Sequence, residues 1–109
     1  MAKTLTFTFK GKEYTLEYTR RTVRQMEDSG FIASEVGEKP MQILRLFAGA
    51  FLAHHRSVKM DVIEDIYAAL PNKEDLISAL IDMYNEPIEA LMDEPDEESG
   101  NVEWTASWK

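Results

Sequence analysis

Two histidines stand side by side at His54 and His55, and imidazole is the side chain that most readily ligates a transition metal or moves a proton near neutral pH. Neighbours on a helix point about 100° apart, whereas helical metal ligands recur at spacings of three or four residues. Phe51, Val58 and Lys59 stand at such spacings from the pair, so the sequence predicts a role at a helix end, where the side chains meet the dipole. The twenty carboxylates could include an acid/base couple, but such a couple works only where burial or a like charge drives a pKa away from its ordinary value. Here they fall on the outer faces of predicted helices or in the run Asp93 to Glu98. That run lacks the alternating ligands and spaced terminal Glu of a calcium loop and reads as a solvated charge run. Ser29, Ser34, Ser57 and Ser78 lie outside any nucleophile-elbow pattern, and no Gly-rich phosphate cradle occurs. With no cysteine there is no thiolate, disulfide or Cys-type zinc site. The expectation is a protein that is not an enzyme and has neither cofactor nor metal.

Binding candidates are better represented. Arg20, Arg21 and Arg24 form a basic cluster, with Lys10 and Lys12 nearby. Nucleic acid is one partner such a cluster could meet, but duplex binders present a broad positive stripe, and the net charge of −8 opposes it. A patch of surface salt bridges, or a dock for an acidic segment such as the chain's own C-terminus, fits better. Trp104 and Trp108 stand four apart in a polar stretch, so a helix induced on binding would place both on one face. They either anchor a partner or neighbouring subunit, as tryptophan does at many interfaces, or fold back onto the body. Gly49, flanked by Ala48, Ala50 and Ala53, offers a smooth strip where a second helix can approach closely.

Charge is divided along the chain. Residues 1–60 carry ten Lys and Arg against six Asp and Glu, whereas residues 61–109 carry two against fourteen. Such asymmetry points to electrostatically directed contacts and an acidic tail. One hundred and nine residues fit one domain with a modest core. Neither a basic-then-apolar leader nor an apolar run of about 18 residues occurs, which predicts a cytoplasmic protein with no membrane partner.

The elements that must position these residues read as α+β. Leu5, Phe7 and Phe9 alternate with threonines, and Tyr14, Leu16 and Tyr18 alternate with Thr15, Glu17 and Thr19 beyond Lys10-Gly11-Lys12. This is a β-hairpin over 4–19. Thr19 can cap a helix over 20–29 that faces Val23 and Met26 inward and ends at Gly30. Pro40 opens a second helix over 40–55, with Ile43, Leu44, Phe47, Phe51 and Leu52 on one face. A third covers 58–70 and stops before Pro71. Asn72 with Asp75 resembles a capping arrangement for a fourth over 73–91, which Glu86-Pro87 should kink or restart near Asn85. Residues 1–92 thus form a hairpin packed on about four helices, and 93–109 form a flexible acidic tail, too charged and too poor in aliphatics to offset the entropy of ordering it.

In the order of its pieces the chain resembles the tail assembly chaperones of long, non-contractile-tailed phages (siphovirus type) and prophages of Gram-positive bacteria. The pieces are the hairpin from Phe9 to Tyr18, the run from Arg20 to Glu27 leading to Gly30-Phe31, Lys39-Pro40 before Leu46 to Phe51 and His54-His55, and Gly100-Asn101-Val102-Glu103-Trp104. None is a catalytic signature. The resemblance implies a non-enzymatic factor, absent from the mature virion, that binds the tape-measure protein and helps the tail-tube protein polymerise around it. It also implies a homo-oligomer, which the strip at Gly49 and Ala53 would suit. Two other classes fit the residues alone: a small acidic phage regulatory protein that binds a host protein, and a nucleic-acid-binding module. The partner-binding candidates are Trp104, Trp108, Gly49, Ala53, Arg20, Arg21 and Arg24.

Overall fold

A computed structural model of the chain describes residues 3–92 and 105–108. Thr4–Phe9 (β1) and Lys12–Glu17 (β2) pair antiparallel, with Leu5 opposite Leu16 and Phe7 opposite Tyr14. Lys10 and Gly11 both have positive φ, 50° and 80°, the two-residue turn whose twist matches that of the strands it joins. The strand period of two puts Tyr14 and Leu16 in the core while the threonines of β1 face outward. A two-stranded hairpin is marginal by itself, and here its apolar face rests on the helices.

Arg20–Asp28 (α1) begins with a reciprocal cap in which Thr19 Oγ1 accepts from the Thr22 N–H (3.1 Å) and Thr22 Oγ1 accepts from the Thr19 N–H (2.8 Å). It ends in a Schellman turn. The Phe31 N–H donates to Met26 O, the Gly30 N–H donates to Glu27 O, and Gly30 takes φ +96°. A 3₁₀ turn at Ala33–Glu35 leads to Pro40–Gly49 (α2), where Pro40 occupies the first turn as the sequence predicts. Met60–Ala69 (α3) and Lys73–Glu89 (α4) follow, and a 3₁₀ turn, Ala90–Met92, closes the body. The fold is α+β, a hairpin on four helices. α2 is central, touching α1, α3 and α4. Leu16, Leu46, Phe47, Phe51, Ile66 and Leu80 are the largest of the fully buried side chains among the described residues.

Several boundaries differ from the sequence reading. The second helix stops at Gly49 rather than 55, because its end is given over to the hairpin. The Ala50 carbonyl accepts from the Glu17 N–H (3.1 Å), and the Leu46 carbonyl accepts from the Tyr18 hydroxyl (2.5 Å). The Ala50, Phe51 and Leu52 N–H groups bond three residues back, so the chain tightens into turns through His54. The third helix spans 60–69 rather than 58–70. The fourth begins at Lys73, but Asn72 supplies no side-chain cap; it sits in the left-handed region (φ 55°, ψ 56°), while Lys73 Nζ bonds the Leu70 carbonyl. Pro87 neither stops nor restarts α4, since it falls in the last turn, where few bonds remain to be lost. The acidic run 93–104, including Trp104, lies outside the described residues.

Candidate functional site

Among the described residues, the side chains singled out by sequence do not converge on one site. The basic cluster divides between two flanks of α1. Arg20 and Arg24 border a groove against Pro87, Ile88 and Leu91, whereas Arg21 borders a separate depression with Ala53 and His54. All three arginines are exposed. Trp108 is 83% exposed, whereas nearby Ala106 is buried.

Gly49 and Ala53 do not form one strip. The helix ends between them, Ala53 is exposed, and Gly49 is buried against α1. A Cβ built on Gly49 would lie 2.4 Å from both Sδ and Cε of Met26. The close approach that Gly49 permits is therefore within the chain, between α1 and α2, rather than between the helices of two copies.

That packing creates one of several concavities among the described residues. Between α1, α2 and the start of α3 lies an open cleft of about 370 Å³. Its floor is apolar, formed by Met26, Ala48, Gly49 and Leu52, with Met60 at one end. Two arginines stand on its rim. Arg45 is oriented by donating from Nη2 to the Ser29 carbonyl (2.7 Å) and hydroxyl (3.2 Å) at the end of α1; Arg56 reaches Gln25 Oε1 (3.3 Å). Methionine is the side chain best able to adapt to varied apolar partners, and guanidinium groups match carboxylates bidentately. The arrangement suits an apolar helix face flanked by acidic residues, and it brings no nucleophile beside a base. The sequence reading missed it, although Arg45, Gly49, Leu52 and Arg56 recur at steps of four, three and four residues, a helical face with a guanidinium at each end. The break at Gly49 means these residues are joined by a turn as well as a helix.

The histidines are fastened to the hairpin. His54 Nε2 lies 2.7 Å from Glu17 Oε1, and His55 Nε2 accepts from the Thr15 N–H (3.0 Å). A backbone N–H can only donate, so Nε2 of His55 is unprotonated and the ring proton sits on Nδ1. Burial, reinforced by Lys12 and His54, holds the His55 pKa below the ordinary histidine value. Both rings latch β2 to the end of α2, a tie that neither metal ligation nor a helix-end dipole describes. Among the described residues there is no cluster of three or more His, Cys, Asp or Glu that could hold a metal ion, and no helix is long and apolar enough to cross a membrane.

Among the described residues α4 carries a second exposed apolar surface, which reaches the groove beside α1 at Ile88 and Leu91. Ile81 and Ile88 are 39% and 38% exposed, and Leu91 and Met92 follow at 62% and 83%.

A family assignment accords with the whole-chain character of this fold, since the matching model covers residues 1–108 and so takes in the hairpin, all four helices and the C-terminal segment together. The chain belongs to the family described as Domain of unknown function (DUF5055). No curated protein and no solved structure matches it. The geometry of this DUF5055 chain therefore has to be read on its own terms: a latched hairpin, an arginine-rimmed apolar cleft and an acidic helix with an exposed apolar stripe.

Proposed function

We propose that this chain is a non-enzymatic tail assembly chaperone of long, non-contractile-tailed phages and prophages of Gram-positive bacteria. It binds the tape-measure protein and helps the tail-tube protein assemble around it, acting in the host cytoplasm and leaving before the virion is complete. The sequence resemblance supplies the class of client. The observation that carries the mechanism is the cleft beside Gly49, whose apolar floor and paired Arg45 and Arg56 suit an amphipathic helix with carboxylates beside its apolar face. A long helical tape-measure chain exposes such stripes before the tube encloses it, and covering them prevents their mutual association. Net charge of −8 keeps the covered assembly soluble.

Co-expression with the tape-measure protein encoded in the same gene cluster tests this reading. The client is expected in the soluble fraction with the wild-type chain and in the pellet with Arg56→Glu/Met60→Glu. A client equally insoluble with and without the wild-type chain overturns it.

A further inference from the structure

The cleft and the outer face of α4 are complementary to one another, and they belong to opposite flanks of α1. The cleft is bordered by Gln25, Met26 and Ser29 of α1, whereas the groove against the end of α4 is bordered by Arg20, Val23 and Arg24. At about 100° per residue these two sets lie on opposite sides of the helix. α4 therefore cannot turn its outer face into the cleft of its own chain, because α1 stands between them and packs against both α2 and α4.

The face itself is specific in pattern. Ile81, Asn85, Ile88 and Met92 recur at steps of four, three and four residues and are all exposed, Ile88 at the edge where α4 meets the groove lined by Arg20 and Arg24. Asp75, Asp82 and Glu89 repeat every seven residues along the border of that stripe, also exposed. An apolar stripe with acids along one edge is what a cleft with a methionine-lined floor and arginines on its rim would take. We infer that the outer face of α4 docks into the Arg45–Arg56 cleft of a second copy of this chain, head to tail. A contact between two different patches of the same molecule leaves one cleft and one α4 face unpaired at the ends, so it propagates into rings or filaments rather than stopping at a symmetric dimer. This inference does not depend on the identity of any client, although a client helix in the cleft would compete with it.

Sedimentation velocity on the 109-residue chain over a wide concentration range, with two surface variants, tests it. Arg56→Glu/Met60→Glu damages the cleft and leaves α4 intact; Ile81→Glu/Ile88→Glu damages α4 and leaves the cleft intact. Circular dichroism and thermal melts establish that both remain folded, which the exposure of Met60, Ile81 and Ile88 favours. The wild type is expected to show weight-average mass rising with concentration beyond a dimer, and each variant alone to stay monomeric. Mixed together, the variants are expected to form a 1:1 dimer and nothing larger, since only one intact cleft and one intact stripe then meet. A wild type that stays monomeric throughout overturns the inference. So does a wild type that stops at a dimer, or a mixture of the variants that does not pair.

Discussion

Gly49 stands where any larger residue would collide with Met26: a Cβ at that position would lie 2.4 Å from the Met26 sulfur and terminal methyl and 2.9 Å from Cγ. The missing side chain leaves the space that the Met26 side chain fills between α1 and α2, and both residues line the adjoining cleft.

Gly49→Ala is therefore expected to destabilise the fold. Overpacking costs about 1–3 kcal/mol, against about 1 kcal/mol gained from the better helix propensity of alanine. In the Met26→Ala background the same substitution should cost less or become favourable, because the colliding atoms are gone. Urea titrations of the two single variants and the double variant measure this coupling.

Removing the Tyr18 hydroxyl should loosen the joint between hairpin and α2. Tyr18 is 3% exposed, and its hydroxyl bonds the Leu46 carbonyl, which the tightened helix end does not use. Burial, with Tyr84 nearby, raises its pKa well above the ordinary tyrosine value, so the hydroxyl remains a donor across the physiological range. Tyr18→Phe leaves a carbonyl without its partner at a cost of about 1–3 kcal/mol. The check is the midpoint of a denaturant curve with an unchanged slope.

The reciprocal threonine cap of α1 gives a third expectation. Thr22 is 2% exposed, and its hydroxyl accepts from the Thr19 N–H. Thr22→Val keeps the shape and removes the acceptor. It should cost about 1 kcal/mol, comparable with Thr19→Ala, which removes the other half of the cap. The two changes together should cost less than their sum, since each breaks the same unit.

Acid should weaken the hairpin latch through His55. Its folded pKa lies below the ordinary histidine value, so the unfolded chain takes up the proton first as pH falls. The stabilisation is complete above the unfolded value of about 6.5 and is lost as pH drops through the lower folded value. The groups facing the ring are Lys12 of β2 and His54. Thermal melts between pH 7.5 and 5 should show a falling midpoint. The slope should flatten in His55→Ala, with at most about 1 kcal/mol at stake in the Thr15 bond.

Much of this fold is written in local pattern. The alternation around Lys10-Gly11, Thr19 before a helix, Gly30 after it and Pro40 at the start of the next are all signals that act through the backbone of a few neighbouring residues, and the structure places each where the sequence does. What the sequence did not disclose depends on distant partners. α2 ends six residues early because Glu17 and Tyr18, more than twenty-five residues upstream, take its last carbonyls. His54 and His55 point to β2 for the same reason. The acceptance of Pro87 inside α4 is positional, as it lies close enough to the end that the helix loses little. Arg20, Arg21 and Arg24 are neighbours in sequence, yet helical geometry sends them to different grooves. Arg45 and Arg56 share a rim only because the chain turns after Gly49.

The central claim is that the arginine-rimmed cleft receives an acidic-edged amphipathic helix. Isothermal titration of the 109-residue chain with helical segments of the tape-measure protein proposed as its client tests it most directly. Wild type is expected to bind at least one segment with a negative heat-capacity change, and Arg56→Glu/Met60→Glu to weaken that binding by at least about tenfold, about 1.4 kcal/mol. Equal affinity of the two proteins for every segment, or no binding by the wild type, would contradict the account.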